Sequence, residues 1–534
     1  MELQLRSCKT ISHLRQLHAH IIHKGLDQDH FLLSRFICIC NSLRNTAYAA
    51  SVFTQVSSPS SYLWNCLMKG LCENSSLDET QSCFVGLRRS GGVPDCYTYS
   101  SWIKACANEG RVKEGMMAHG DVVKFGACGN LYVGTCLIDM YGKCGEVGFA
   151  RKVFDEMGVR NVVSWTALLS GYTGLGDMVE AKNVFDEMPE RNSTTWNAMI
   201  KGFVKAGDLN EARRLFEEMP GKNAVSYTIL IDGYARDGDM VYARCLFDQS
   251  VNVDVVAWSA LISGYVKNGQ PYEAVKIFEK MCSHNVKADE FIMVSLMSAC
   301  SQIGIPKLAE WVDARVNQSF GDLHNHYITA ALIDMNAKCG NMDRARALFE
   351  EMPKRDLISY CSMMQGFSIH GCGSQAVDLF RRMLNDGLTP DGVAFTVILT
   401  ACCHAGLVDE GCQFFSLMTN QYSLVPSPDH YACMVNLYGR AGQLTAAYDL
   451  IVSMPVEPHA GAWGALLGAC RLLGDIELGE AVAAKLMELE PQGAGTYVLL
   501  SNIYAEADRW LDVWSVRSAM QRKGIRKKIG HCRI

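Results

Sequence analysis

Short polar side chains return at two positions of the sequence with a constant spacing of 31 residues. The first position holds Thr135, Thr166, Asn197 and Thr228, and the second holds Asn161, Asn192, Asn223 and Asp254. Hydroxyls and amides both donate and accept hydrogen bonds, whereas an ionised Asp only accepts them. Side chains of these types can form hydrogen bonds with a ligand. Asn, Asp and Thr are also good helix N-caps, so capping alone is the alternative explanation for any single pair.

Residues that could support catalysis or bind a metal form no recognisable pattern. The sequence contains neither H-x-E nor C-x-x-C, which together make the zinc deaminase signature. The 23 cysteines recur at repeat positions instead, with Cys106, Cys300, Cys402 and Cys470 at one and Cys144 and Cys339 at another. We therefore expect cysteines that pack between helices, no cofactor, no metal site and no enzymatic activity of this chain.

The segment Val162 to Asn192 shows which elements must position the polar residues. Its residues Trp165, Leu168, Leu169 and Tyr172 follow the helical spacing i, i+3, i+4, i+7, and Ala181, Val184, Phe185 and Met188 form a second apolar stripe. Gly174 to Asp177 separates the two stripes, and Pro189 closes the second, because proline lacks the N–H that would continue a helix. The unit is a predicted helical hairpin.

Copies of this hairpin account for the whole chain. A partial repeat covers 1–29, about 13 repeats cover 30–459, and two hairpins with a different consensus cover 460–495 and 496–534. One hairpin cannot bury its own apolar faces, so neighbours must stack into an all-α solenoid. A hydrophobic content of 49% is typical of a folded chain, and the net charge of −6 provides no general attraction to nucleic acid.

Phrases such as ALIDMNAKCGNMDRARALFEEMPKRD (331–356) and HYACMVNLYGRAGQ (430–443) resemble the pentatricopeptide repeat family. The mixture of repeat lengths is similar to its plant PLS subfamily, and 460–495 and 496–534 resemble the E1 and E2 motifs of the E subgroup. A tetratricopeptide array is the rival, but its 34-residue period and W-L-G-Y signature are missing. The resemblance implies a right-handed superhelical solenoid. The residues KKIGHCRI (527–534) occupy the position at which other members of that family continue into a DYW deaminase domain.

In that family the fifth and the last residue of each repeat select one RNA base, and the resemblance implies the following pairs. Asn65 with Asp95 suggests U; Ser100 with Asn130, Thr135 with Asn161, and Thr166 with Asn192 suggest A; Asn197 with Asn223 suggests a pyrimidine, with C favoured; Thr228 with Asp254, and Ser259 with Asp289, suggest G. The implied core is U-A-A-A-C-G-G. Five further pairs give no base: Val294/Asn325, Ala330/Asp356, Cys361/Asp391, Thr396/Ser427 and Ala432/His459. Val163, Val225 and Val256 could wedge between bases.

The resemblance implies a site-recognition factor for C-to-U editing that binds single-stranded RNA and recruits a DYW-type deaminase in trans. Transcript stabilisation, splicing or translation is the alternative, and a protein-only scaffold is a third. A mitochondrial or chloroplast location is implied, although MELQLRSCKTISH already belongs to a repeat, so we expect either an upstream start or a shortened chain. The basic tail from Arg517 to Ile534 either is solvated or contacts phosphate or a partner. Trp463, Tyr497, Tyr504 and Trp510 are expected in the core, with a docking surface as the alternative.

Overall fold

A computed structural model describes residue 8 and residues 10–74, 77–250, 253–320, 326–455 and 457–525. Across these ranges the chain forms 31 α-helices, a 3₁₀ turn at Ala127–Gly129 and a π-helical turn at Leu417–Gln421, without a β-strand. The all-α prediction is confirmed. Internal packing divides the chain into two compact units, Met1–Gly264 and Tyr265–Ile534.

The first unit is a run of helical hairpins. Its helices are α1 (Ile11–His23), α2 (His30–Ser42), α3 (Thr46–Phe53), α4 (Ser61–Asn74), α5 (Leu77–Arg89), α6 (Cys96–Glu109), α7 (Val112–Lys124), α8 (Leu131–Lys143), α9 (Val147–Glu156), α10 (Val162–Leu175), α11 (Met178–Glu187), α12 (Ser193–Ala206), α13 (Leu209–Glu218), α14 (Ala224–Asp237) and α15 (Met240–Gln249). Helix α16 (Val255–Lys267) contains the boundary between the units.

The second unit has the same organisation. Its helices are α17 (Pro271–Ser283), α18 (Glu290–Ile303), α19 (Pro306–Phe320), α20 (His326–Lys338), α21 (Met342–Glu351), α22 (Leu357–Ile369), α23 (Gly373–Asn385), α24 (Gly392–Ala405), α25 (Val408–Ser416), α26 (Pro428–Arg440), α27 (Leu444–Val452), α28 (Ala460–Leu473), α29 (Ile476–Leu489), α30 (Ala494–Glu506) and α31 (Trp510–Arg522).

The hairpin α10–α11 shows how the sequence produces this fold. Helix α10 starts after Asn161, whose side chain forms a capping box with Ser164. It ends before Gly176, whose φ of 83° lies in the left-handed region that a C-cap requires. Asp177 then caps α11 by accepting a hydrogen bond from the Glu180 N–H at 3.2 Å. The predicted break is confirmed, except that Gly174 and Leu175 still belong to α10.

Two kinds of contact hold consecutive hairpins together. First helices pack on their own second helix and on neighbouring first helices within a unit. Aromatic pairs add to this packing, because the second helix of one hairpin places a ring edge-on against the next first helix. Phe154 and Trp165 have ring centroids 4.6 Å apart, and Phe185 and Trp196 have centroids 4.9 Å apart. Each such pair contributes about 0.5–1.5 kcal/mol beyond its buried area.

A glycine at the tenth residue of many hairpins allows the first helix to approach the preceding hairpin closely. A Cβ added to Gly202 would lie 2.8 Å from Thr173 Cγ2 and 3.0 Å from Met178 Cε. Thr173 and Met178 are the twelfth and seventeenth residues of the preceding hairpin, and we call these two positions the stacking seat. In other hairpins the same two positions lie against the tenth-position glycine of the following hairpin: Val204 and Leu209 at Gly233, Ala235 and Met240 at Gly264, Ala337 and Met342 at Gly366.

The cysteines at the shared repeat position are packing residues, as predicted. Cys106, Cys300, Cys402 and Cys470 are fully buried. Burial raises the pKa of the Cys106 thiol to about 12, so it stays protonated at neutral pH.

The prediction for the aromatic residues of the last two hairpins is partly wrong. Trp463, Tyr497 and Tyr504 are buried, whereas Trp510 is 63% exposed. Trp510 occupies the seventeenth position of its hairpin, and among the described residues no further helix follows to cover it.

Candidate nucleic-acid interface

In the seven repeats to which the sequence assigns a base, the last residue is the N-cap of the next first helix. Asn161, Asn192 and Asn223 each accept a hydrogen bond through Oδ1 from the N–H three residues later, at 2.9, 3.0 and 2.9 Å. Asp254 and Asp289 accept in the same way at 2.8 and 2.9 Å, and Asp95 and Asn130 each accept from two N–H groups. Capping is therefore a role that all seven residues have.

The cap engages only one end of each side chain. When Oδ1 of an Asn accepts from the helix, the amide Nδ2 remains as a donor, whereas in an Asp the second carboxylate oxygen remains as an acceptor. In the described part of the chain, no protein acceptor lies within hydrogen-bond distance of Nδ2 of Asn161 or Asn192. A capping Asn thus offers a donor to a ligand, and a capping Asp offers an acceptor.

The fifth residue of a repeat lies beside this cap. Asn65 Nδ2 donates to both Asp95 carboxylate oxygens at 3.0 and 2.8 Å. Asn197 Nδ2 lies 3.4 Å from Asn223 Oδ1, and Thr228 Oγ1 lies 3.3 Å from Asp254 Oδ1. The fifth residue and the cap therefore meet within these three pairs.

Other pairs are linked less directly. Ser100, Thr135 and Thr166 donate their hydroxyl protons to the carbonyl four residues earlier in their own helix, at 2.7, 2.7 and 2.6 Å. The Thr166 hydroxyl also lies 3.4 Å from that of Thr195, which donates to Asn192 Oδ1 at 2.8 Å. Ser259 lies in the first unit and Asp289 in the second.

A groove of about 700 Å³ opens between α8 and α10. Its walls include Thr135, Asn161 and Thr166, together with the second residues of the two hairpins, Tyr132 and Val163. Tyr132 is 47% exposed and Val163 is 60% exposed. The volume lies within the range of small-molecule pockets, and the walls combine apolar surfaces with a few polar groups.

Exposed apolar residues recur at the second position of the hairpins. Besides Val163, Val225 and Val256, the position exposes residues that the sequence analysis did not single out: Phe31, Tyr62, Tyr97, Tyr132, Phe291, Tyr327, Ile358 and Val393. Their constant place one residue after the start of a first helix was the signal that could have identified them. Lys104 lies beside this row, donating to the Tyr132 hydroxyl at 2.8 Å.

Comparison with protein families accounts for most of the chain. A model described as PPR repeat matches residues 97–126, 135–162, 163–193, 194–223, 225–252, 330–357, 393–421 and 429–457. A model described as PPR repeat family matches 59–108, 253–302 and 355–404. The putative pentatricopeptide repeat-containing protein At5g37570 of Arabidopsis thaliana is 61% identical over 99% of this chain and 97% of its own length. The chain belongs to the pentatricopeptide repeat family.

Other Arabidopsis members of the family carry organellar names. The putative pentatricopeptide repeat-containing protein At3g11460, mitochondrial, is 35% identical over 99% of this chain and 70% of its own length. The putative pentatricopeptide repeat-containing protein At5g59200, chloroplastic, is 39% identical over 98% and 84%. The crystal structure of PPR10 in complex with an 18-nt psaJ RNA element has a TM-score of 0.60 and 19% identity, covering 98% of this chain and 79% of PPR10. This likeness confirms the solenoid fold of pentatricopeptide repeats.

The repeats that gave no base in the sequence analysis contain unusual partners in this pentatricopeptide repeat protein. Thr396 Oγ1 lies 3.1 Å from His430 Nε2, and His430 Nδ1 contacts the Ser427 hydroxyl at 2.7 Å. His459 caps α28 through Nδ1, which accepts from the Ala462 N–H at 3.4 Å. Asp356 and Asp391 are N-caps as well, whereas Asn325 lies outside the described residues.

The C-terminal region matches a family model described as E motif over residues 473–534. Two basic residues of the predicted tail make contacts within it: Arg517 Nε donates to Ser501 Oγ, and Lys523 Nζ donates to the Tyr497 hydroxyl, both at 2.9 Å. Residues 526–534 of that tail lie outside the described residues. In the ranges that the structure describes, no cluster of His, Cys, Asp or Glu could hold a metal ion, and no helix is long and apolar enough to cross a membrane.

Proposed function

We propose that this protein binds single-stranded RNA and selects its sequence through the fifth and last residues of its repeats. The observation that carries the proposal is the divided role of the last residue, which caps a helix with one atom and leaves a donor or an acceptor beside the fifth residue. The RNA in the PPR10 complex supports the same ligand class for this chain.

The chemistry of the remaining group accounts for base selection. The Nδ2 donor of a capping Asn suits adenine and cytosine, which present a bare ring nitrogen on their pairing edge, whereas a capping Asp suits uracil and guanine, which present a ring N–H. The fifth residue then separates purines from pyrimidines. The exposed second residues hold neighbouring bases apart, because apolar and aromatic side chains stack on base faces without regard to sequence.

A binding comparison tests this proposal. Purified protein is titrated into labelled RNA containing U-A-A-A-C-G-G and into an RNA with the same bases in scrambled order, at one fixed salt concentration. We expect clearly tighter binding to the ordered sequence. Equal affinity for both RNAs would refute selection by these pairs.

We further propose that the protein specifies a C-to-U editing site in a mitochondrion or a chloroplast and recruits a DYW-type deaminase in trans. The E motif match and the organellar names of relatives support this role. Sequencing of organellar transcripts in a loss-of-function line should show one or a few unedited cytidines. An unchanged editing profile would reject the role, and altered transcript ends, splicing or ribosome loading would assign the protein to transcript processing or translation.

A further inference from the structure

Two cysteines on neighbouring first helices of the first unit lie side by side. Cys38 is the ninth residue of the hairpin that starts with α2, and Cys66 is the sixth residue of the hairpin that starts with α4. Both thiols are free, and Cys38 is exposed whereas Cys66 is buried. The two side chains are hydrogen-bonded to each other. Solvent therefore reaches one thiol of the pair, and the other lies directly behind it.

The packing of α2 on α4 explains why these two side chains meet. Asn41, the twelfth residue of its hairpin, donates from Nδ2 to the Cys66 carbonyl at 3.0 Å. A Cβ added to Gly70, the tenth residue of the next hairpin, would collide with the Asn41 side chain. Cys38 lies one turn before Asn41, and Cys66 lies one turn before Gly70. Since residues three or four apart share one face of a helix, the two cysteines face each other.

The ninth position also meets the sixth position of the next hairpin elsewhere in the array. Thr400 Oγ1, at a ninth position, lies 3.4 Å from Cys433 Sγ, at the following sixth position. Lys104 and Cys136 occupy the same two positions, and both line the groove described above. Contact between these positions is therefore a property of the repeat. In the hairpins that start with α2 and α4, cysteine occupies both of them.

The surroundings give the two thiols different chemical roles. The hydrogen bond from Cys66 lowers the pKa of the Cys38 thiol to about 6, and Lys69 and Arg35 lower it further against the effect of burial. The thiolate is the form that attacks a disulfide. The hydrogen bond to Cys38, together with burial, raises the pKa of the Cys66 thiol, so Cys66 keeps its proton while the Cys38 thiolate is present. Cys38 is thus the attacking thiol and Cys66 the resolving thiol.

We propose that Cys38 and Cys66 form a redox-active pair, which a low-molecular-weight disulfide such as glutathione disulfide converts into a disulfide between α2 and α4. The Cys38 thiolate attacks one sulfur of glutathione disulfide and displaces the first glutathione as a thiolate. Cys38 then carries no charge, so Cys66 releases its proton to that thiolate and attacks the Cys38 sulfur. The second glutathione leaves and takes a proton from solvent, which replaces the one that Cys38 had released. The two cysteines are oxidised by two electrons, and glutathione disulfide is reduced to two glutathione molecules.

Mass spectrometry of the full chain tests this pair. Purified protein is equilibrated at pH 7 in mixtures of reduced and oxidised glutathione, its remaining thiols are blocked with N-ethylmaleimide in denaturant, and it is digested with trypsin without reduction. Peptides 36–44 and 45–69 should then be joined, with the loss of two hydrogen atoms. Fragmentation distinguishes Cys38 from Cys40 in the first peptide. Burial raises the pKa of Cys40 to about 12, so Cys40 should stay unlinked.

Two variants, both checked for native helicity by circular dichroism, provide the controls. C38S removes the attacking thiol and should give no joined product. T400C supplies a thiol at the ninth position opposite Cys433, and the two should become linked. Absence of the joined peptides at every glutathione ratio, or a link through Cys40, would overturn the proposal. Failure of T400C to link to Cys433 would refute the shared register on which the proposal depends.

The pair borders the proposed RNA site, so its oxidation should change RNA binding. Cys66 is also hydrogen-bonded to Tyr62, one of the exposed second-position residues. Oxidation removes the negative charge of the Cys38 thiolate, and the positive charges of Lys69 and Arg35 are then available to attract phosphate. This consequence rests on the proposed function, whereas the pair itself does not.

We expect the oxidised chain to bind the U-A-A-A-C-G-G RNA about 2- to 5-fold more tightly than the reduced chain at low salt, the range for one exposed charge pair. Reduced C38S also lacks the thiolate and should bind as the oxidised chain does. Equal or weaker binding by the oxidised chain would overturn this consequence. A mapped disulfide in a chain that does not distinguish the ordered RNA from the scrambled one would refute the proposed function and uphold the redox pair.

Discussion

Asn65 donates from Nδ2 to both carboxylate oxygens of Asp95, over 3.0 and 2.8 Å, while its own Oδ1 accepts from the Thr98 hydroxyl at 2.7 Å. Both ends of this amide are satisfied within the protein. At Thr166 and Asn192 the situation differs, because Asn192 Nδ2 has no protein acceptor in the described part of the chain. The pairs are therefore not equally prepared for a ligand.

This difference predicts unequal discrimination along the RNA. A uracil at the first nucleotide must exchange existing internal hydrogen bonds of Asn65 and Asp95, so its net gain is small. An adenine at the fourth nucleotide uses the unoccupied Asn192 amide. Replacing U1 by C should reduce affinity less than replacing A4 by G, as measured by fluorescence anisotropy with single-substitution RNAs. A larger loss at the first nucleotide would contradict this ranking.

The exchange Asn192→Asp should change the preferred fourth nucleotide from A to G. Aspartate caps a helix as well as asparagine does, so the fold should be unaffected, while the remaining group changes from a donor to an acceptor. We expect a change in relative affinity on the order of 1–3 kcal/mol, the usual effect of one mismatched base.

Asn192→Ala is the matched control for that exchange. It removes the cap and should cost about 1 kcal/mol in local stability, seen as faster hydrogen exchange in α12, without creating a preference for G. If Asn192→Asp behaves like Asn192→Ala, capping alone explains the residue.

Substitution of Tyr132 by Ala should weaken RNA binding without altering base preference. Stacking of a base on an aromatic side chain contributes about 1–3 kcal/mol and tolerates every base. Anisotropy titrations with the ordered RNA and its single-base variants measure both quantities. Val179→Ala is the control, because Val179 is also an exposed apolar side chain but lies on a second helix, outside the row of second-position residues. A comparable loss with Val179→Ala would argue against the groove.

Two glycine-to-alanine substitutions should have opposite effects on stability, because only one of the two glycines lies against a neighbouring hairpin. Gly202→Ala places a methyl group 2.8 Å from Thr173 Cγ2 and should destabilise by about 1–3 kcal/mol, the usual range for overpacking. Gly174→Ala also lies inside a helix, but no atom stands within 4 Å of the new Cβ, so it should stabilise by about 0.5–1 kcal/mol. Urea denaturation followed by circular dichroism measures the change in the free energy of unfolding for both variants. A change of the same sign in both would refute the packing argument.

The thiol of Cys38 should react with iodoacetamide at a lower pH than an ordinary cysteine. A hydrogen bond from Cys66 lowers the pKa of the exposed Cys38 thiol to about 6, and Lys69 and Arg35 assist. The thiolate is the reactive form, so the labelling rate should rise up to about pH 7 and then level off.

Cys66→Ala tests the cause of that shift. It removes the donor, so the labelling rate of Cys38 should continue to rise towards pH 9. Cys83 is the internal control in the same mass-spectrometric experiment, because burial raises its pKa to about 12 and it should remain unlabelled in the native protein. An unchanged Cys38 profile in Cys66→Ala would contradict the assigned cause.

The sequence by itself determined the hairpin, because apolar spacing, capping residues and turn glycines are local and are repeated many times. Leu168 and Leu169 are buried, and α10 ends beside Gly176, as the spacing required. The polar residues at the fifth and last positions were visible for the same reason. Their spacing alone did not decide between capping and recognition.

Tertiary structure decided what those residues have left to offer. Whether Asn192 Nδ2 is unoccupied or Asn65 is fully bonded depends on side chains about 30 residues away in the sequence, and helical periodicity carries no information about such contacts. The same holds for Trp510. Its spacing is that of a core residue, but its burial depends on a following hairpin, and none covers it within the described residues. Local pattern determines the element, whereas the neighbouring elements determine which of its atoms remain exposed.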